Sequence, residues 1–331
     1  PPTMPATRRQ SLKLALAAGA LPFSIGRNAR AQQARELMLY TAMPAGDADF
    51  LTGAFEAETG IRVKVWRSSS EQVVQRVIAE TRAGRQAFDL VDANIMALDP
   101  MRRADALQPR APLPGQALRS EVPPPHGLWT GTRMSVFCCA WNTSLVAAEE
   151  LPSGYADLAN PRWSRRIAFE SDNHGWFATM HAALGHETAA RLFDAIAANG
   201  IMVRKGHSLI ANLMAAGEIP LSLHVYNYRA PQLERSGAPV RHRFLSPSLV
   251  NATAVAIAAG TQRAADAARY VRFLQSTGQA LMAQRGYLPA LRAASEAQAG
   301  PGRLIEVDPL HLSGETGRQW RRRYEAFLRA G

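Results

Sequence analysis

Between Glu36 and Asn94 the period of the apolar positions keeps changing, and each change marks an element. Leu37-Met38-Leu39-Tyr40-Thr41 is an apolar run of strand length. Phe50, Leu51, Ala54 and Phe55 then recur at the i, i+1, i+4, i+5 spacing that predicts one buried face of a helix, which Gly60 ends. Ile61 to Trp66 alternates apolar with charged side chains, the period-two pattern of a half-buried strand. Ser68-Ser69-Ser70 offers an N-cap to a helix carrying Val73, Val74 and Val77, and Phe88 to Val91 forms the next strand. The order is βαβαβ, and loops at the strand ends of such a parallel sheet bind ligands.

Further along, Leu107 to Leu128 contains Pro109, Pro112, Pro114, Pro123, Pro124 and Pro125 with neither period, and reads as an extended surface connection. Met134 to Trp141 is a continuous apolar strand. Ile167-Ala168-Phe169 is a strand, followed by helices from about Trp176 to Leu184, Glu187 to Asn199 and Ser208 to Ala216, and by a buried strand from Leu221 to Val225. A return strand is expected near Val240 to Leu245, then a strand from Ala254 to Ala258 and a helix from Arg263 to Gln275. Thr316 to Arg329 sets Trp320, Tyr324 and Phe327 at helical spacing between arginines, the pattern of a docked surface helix.

Three phrases carry a family likeness: LPSGYADLANPRWSRRIAF from Leu151 to Phe169, AANGIMVRKGHSLIANLMAAGEIPLSL from Ala197 to Leu223, and AVAIAAGTQRAADAARYVRFLQSTGQALMAQRGYLP from Ala254 to Pro289. Together with the opening, their order and spacing resemble the periplasmic solute-binding proteins of ABC importers, in the group that holds ferric-ion, thiamine, polyamine and phosphonate binders. The resemblance implies an α/β fold of the type II clamshell kind, with two lobes of mixed sheet flanked by helices and joined by crossing hinge strands. It divides the chain into a first lobe (36–133 and 247–300), a second lobe (134–246) and a C-terminal helical extension (301–331). It also implies a monomer that closes on its ligand and delivers it to an inner-membrane permease and its ATPase.

The first residues bear on location. Thr7-Arg8-Arg9-Gln10-Ser11-Leu12-Lys13, the apolar run Leu14 to Ile25 and Ala29-Arg30-Ala31 read as a twin-arginine export signal over residues 1–31, with an ordinary secretory signal as the alternative. The expected location is the periplasm. Setting the signal aside lowers the formal charge from +11 to about +6, and the remaining arginines are scattered among acids, which argues against nucleic acid and suits an anionic ligand or a negatively charged membrane surface nearby. The adjacent Cys138 and Cys139 point to opposite faces of a strand, so they read as small buried residues, not a disulfide or redox pair.

Four segments, together with Asn94, supply candidate ligand contacts. Met43 follows the first strand; Arg67, Ser69 and Ser70 open the second helix, where free N–H groups and hydroxyls suit an anion, or where the serines only cap. Asn94 follows the third strand. Asn173, His174 and Trp176 sit at a strand-to-helix junction where the resembling family often places an anion-binding turn. Tyr226, Tyr228 and Arg229 follow the strand of the second lobe.

Ferric-binding members place two adjacent tyrosines at this last position, and here Asn227 separates Tyr226 from Tyr228, although alternate residues of an extended segment share a face. The histidine and glutamate expected of an iron site are replaced by Met43-Pro44 and Asn94, so the hard-oxygen set is incomplete. The reading is therefore a small anionic organic or phosphorylated solute, with no resident cofactor. Ferric iron held as cargo by Tyr226 and Tyr228 is the alternative. An exported enzyme is a further alternative, but no nucleophile elbow, His-Glu-x-x-His, Cys-x-x-Cys or phosphate loop supports it.

Overall fold

The computed structural model describes residues 35–109, 127–291, 302–307, 311 and 314–331, and the elements below all belong to one unit, Arg35–Gly331. The expected export signal and most of the proline-rich connection (110–126) lie outside the described residues.

The chain opens with β1 (Glu36–Thr41), α1 (Ala45–Thr59), β2 (Arg62–Arg67), α2 (Ser70–Arg82), β3 (Leu90–Asn94) and α3 (Ile95–Arg103). β1 lies between β2 and β3 and is parallel to both, with Leu37 opposite Val63 and Leu39 opposite Leu90. α1 buries Ala48, Leu51, Thr52 and Phe55, while Phe50 stays 37% exposed. The buried stripe therefore runs one position off the expected one, and Phe50 instead packs under the Arg285 guanidinium, 5.5 Å from its ring. Gly60 ends the helix in the left-handed region at φ 70°, donating its N–H to the Glu56 carbonyl.

The second half contains β4 (Trp129–Asn142), β5 (Ile167–Glu170), α4 (His174–Leu184), α5 (His186–Ala198), β6 (Met202–Arg204), α6 (His207–Ala215), β7 (Leu221–Tyr226), α7 (Arg229–Arg235) and β8 (Val240–Arg243). The chain then forms β9 (Ser248–Ile257), α8 (Ala264–Leu274), α9 (Thr277–Gln284), β10 (Leu288–Pro289), β11 (Leu304–Glu306) and α10 (Gly314–Ala330). The strand order is β2-β1-β3-β9-β4-β7-β5-β6, with β8 and β10 also on β4 and β11 on β9.

Two long strands join the halves. The N-terminal part of β4 pairs antiparallel with β9, from Trp129 opposite Ala256 to Val136 opposite Val250, and its C-terminal part pairs with β7 and β8. The expected return strand near Val240 does not return: β8 stays beside β4, with Cys139 opposite Arg243, and β9 makes the crossing from Ser248. Asn251 and Thr253 interrupt the apolar pattern at the start of β9, which is why the apolar run alone placed the strand six residues late.

Separate apolar clusters fill the two halves. Leu37, Leu51, Phe55 and Tyr270 form one on the first sheet, and Leu158, Trp163, Phe169 and Phe193 form one on the second. Cys138 and Cys139 are free, buried and belong to different clusters, as opposite faces of one strand require. α10 docks Trp320, Tyr324 and Phe327 against α4 and α5, with Phe327 5.4 Å from Phe177 and 5.5 Å from Phe193. Each such aromatic contributes roughly 1.5–3 kcal/mol by leaving water.

Candidate ligand-binding cleft

A cleft of about 130 Å³ opens where the crossing strands meet the C-terminal ends of β1 and β3. Three helix starts border it: Pro44 precedes α1, Ser70 opens α2 and Asn94 precedes α3. This follows from the parallel β1 and β3, because each strand must turn into its helix at the same sheet edge. Ser69 caps α2, accepting from the Gln72 amide at 3.3 Å, and Asn94 accepts from the Met96 amide at 2.8 Å. Pro44 has no side chain with which to cap α1, so the first N–H groups of that helix keep their partial positive charge.

The floor comes from the crossing strands. Arg133 and Ser135 of β4 and Asn251 and Thr253 of β9 line it. Arg133 is 4% exposed and grips Asp92 with both terminal nitrogens, Nη1 at 2.9 Å from Oδ2 and Nη2 at 2.8 Å from Oδ1. Its Nε makes no hydrogen bond. Burial opposes the charge on this guanidinium, but the Asp92 carboxylate more than offsets that and raises its pKa.

One wall is a row of tyrosines. Tyr226 and Tyr228 stack at 5.6 Å and 13°, and Tyr228 stacks on Tyr287 at 4.3 Å. Asn251 donates to the Tyr226 hydroxyl at 2.9 Å, and Tyr287 donates to Asp47 at 2.7 Å, away from the cleft. Burial pushes all three phenols up, Tyr228 to about 12 and the other two further, so each is neutral in the free protein. Gly286, at φ 93°, lets Tyr287 reach this row: a Cβ there would lie 3.0 Å from the Tyr228 Cα.

Of the residues singled out in the sequence, Met43, Ser70, Asn94, Tyr226 and Tyr228 line this cleft. Arg67 reaches its rim, donating Nε to the Met43 carbonyl at 2.8 Å, and Arg229 begins α7 immediately after Tyr228. Ser69 serves as a helix cap. Asn173, His174 and Trp176 lie elsewhere. Trp176 is 1% exposed within the second-half core, 4.5 Å from the His224 ring and 5.8 Å from Phe193. His174 is buried with neither ring nitrogen hydrogen-bonded, its Nδ1 3.7 Å from Asp172. The reason is that α4 buries every residue from His174 to His181, so it is a core helix with no face left for a cleft.

Ser135, Asn251, Thr253 and Tyr287 also line the cleft and were passed over in the sequence, whereas Arg133, a further candidate there although such a residue is more commonly a solvated surface arginine, is buried in the floor. Its place directly before the apolar strand Met134 to Trp141 was the available signal, since an arginine where a strand enters the core requires a partner. Among the described residues no carboxylate and no histidine lines the cleft, and no group of three or more His, Cys, Asp or Glu could hold a metal ion.

Comparison with known proteins places this architecture. Residues 89–307 match the family of bacterial extracellular solute-binding proteins. Iron uptake protein A1 of Synechocystis sp. is 24% identical over 275 residues, covering 76% of this chain and 75% of that protein. The iron-bound HitA structure from Pseudomonas aeruginosa superposes with a TM-score of 0.72 at 20% identity, covering 88% of this chain and 99% of HitA. The substrate-binding protein of an ABC transporter from Agrobacterium tumefaciens gives 0.75 at 16% identity, covering 89% and 96%. At these identities the structures establish the fold, a two-lobed type II clamshell in which β4 and β9 are the crossing strands. The chain belongs to the family of bacterial extracellular solute-binding proteins.

Proposed function

We propose that the cleft captures a small anionic organic or phosphorylated solute and presents it to an inner-membrane permease and its ATPase. The observation that carries this reading is the charge arrangement: three helix starts and Arg133 face a cleft lined by neutral hydroxyls and amides, with no carboxylate among the lining residues. Helix starts attract negative charge by roughly 0.3–1 kcal/mol each, and a buried guanidinium adds a charge-assisted hydrogen bond. Binding energy, not chemistry, is the output: a ligand that touches both lobes stabilises the closed state that the permease recognises. In this reading the lobes are 36–133 with 247–300 and 134–246, the protein acts as a monomer, and export is by the twin-arginine route.

Ferric iron is a second reading, favoured by the names of iron uptake protein A1 and iron-bound HitA and by the tyrosine row. Phenolates are hard donors suited to Fe³⁺. Against a bare ferric ion stand the guanidinium in the cleft and the Tyr287 hydroxyl committed to Asp47.

A thermal-shift screen separates the two. Saturating ligand at a hundred times its dissociation constant adds about 2.7 kcal/mol. Organic anions are expected to raise the melting temperature, and Fe³⁺ without an accompanying anion is not. A shift with Fe³⁺ alone and a visible tyrosinate-to-iron band would instead make Tyr226 and Tyr228 ligands.

A further inference from the structure

Arg133 gives the cleft a hydrogen-bond donor but little net charge, because Asp92 holds both of its terminal nitrogens. Two other arginines are uncompensated. Arg67, the last residue of β2, is exposed, and its bond to the Met43 carbonyl lays the side chain along the loop that lines the cleft. Arg229 meets only neutral acceptors, Asn212 Oδ1 at 2.7 Å and Gln232 Oε1 at 3.4 Å. Among the described residues neither has a carboxylate within ion-pair distance, whereas Arg285 nearby is paired with Asp47 at 2.5 Å. Gln232, which accepts from Arg229, donates to Asp47 at 3.2 Å in the first turn of α1, so Arg229 approaches from one side the Met43–Pro44 loop that Arg67 reaches from the other.

Resting on the anionic-solute reading above, we propose that the solute carries two separate anionic groups, one held at Arg133 and the helix starts, the other bridging Arg67 and Arg229 at the mouth. Arg67 is carried by the β2 edge and Arg229 by the β7–α7 turn, so an anion that engages both ties the two lobes together. The outer group then couples binding to closure, because it bonds to residues of both lobes at once. A dicarboxylate and a phosphorylated carboxylate share this chemistry.

The test is calorimetric titration with succinate and 3-phosphoglycerate, each against a probe with a single anionic group, monomethyl succinate and glycerol 3-phosphate. Both two-group probes, or one of them, are expected to bind at least about tenfold more tightly than the matched single-group probe. Arg67→Gln and Arg229→Gln are each expected to cost the two-group probe about tenfold and the single-group probe less than about twofold, with the ligand-free melting temperature unchanged. Which of the two probes gains identifies the outer chemistry. Equal affinity for single-group and two-group probes, or equal losses for both in the variants, overturns the two-group inference and leaves the anionic reading standing. If no organic anion binds, both fall.

Discussion

Replacing Asp92 by Asn should expose the energetics of the buried pair at the floor of the cleft. The Arg133 and Asp92 side chains are 5% and 2% exposed, and their two hydrogen bonds are 2.9 and 2.8 Å long. At an effective dielectric of about 20 and a charge separation of about 4 Å, the attraction is about 4 kcal/mol. Asp92→Asn removes it and leaves a guanidinium almost out of water, a situation that costs about 3–5 kcal/mol. The double change Asp92→Leu with Arg133→Met removes both charges and should lie within about 1 kcal/mol of the unaltered protein, because the desolvation of two ions disappears with their attraction. Urea unfolding measures both through the midpoint at constant slope. The Asn variant should also gain more stability from an anionic ligand than the unaltered protein does, since the anion then supplies the missing charge. A loss below about 1 kcal/mol for Asp92→Asn would refute the reasoning, because it would mean that water reaches Arg133 and screens it.

Three further outcomes follow from the packing and the ionisation. Trp176→Ala should lower stability by about 3–5 kcal/mol in chemical unfolding, as expected for an aromatic removed from a core, with no selective effect on ligand affinity. Gly286→Ala should destabilise by about 2 kcal/mol or more and weaken binding in calorimetry, because alanine at φ 93° is strained and its Cβ meets the Tyr228 backbone at 3.0 Å. Acid should loosen the second lobe: burial in the α4 core lowers the His181 pKa from 6.5 to about 4, so its contribution is present above pH 6.5 and is lost as pH falls towards 4. His181→Phe should flatten that part of the stability profile measured by thermal melts. At the alkaline end Tyr228, raised from 10.0 to about 12, stabilises fully below pH 10 and loses its effect as pH rises through 12, which a spectrophotometric phenol titration can follow.

How much the sequence discloses depends on whether a residue's role is local. β1, α1, β2 and α2 are readable because one period holds throughout each, and Ser69 is readable as a cap because the hydroxyl and the amide it serves are three residues apart. Tyr226 and Tyr228 are readable as a pair because alternate residues share a side. Trp176 was misread through its position at a strand-to-helix junction, although the unbroken apolar character of α4 pointed to the core. Tyr287 was out of reach. Its place in the row depends on Gly286 meeting a backbone 58 residues away in sequence, and nothing local records that contact. Asn251 and Thr253 were hidden for the related reason that the cleft floor forms only when β9 lies against β4.

The most direct test of the anionic-solute claim is to titrate the solute that gives the largest thermal shift into the unaltered protein and into the Asp92→Leu, Arg133→Met double variant. The account predicts a folded double variant in which that affinity falls by about 2 kcal/mol or more, at least some thirtyfold, because the buried guanidinium that anchors the anion is gone. Unchanged affinity in a folded double variant would contradict it, since the solute would then be held without the one buried cation that the cleft provides.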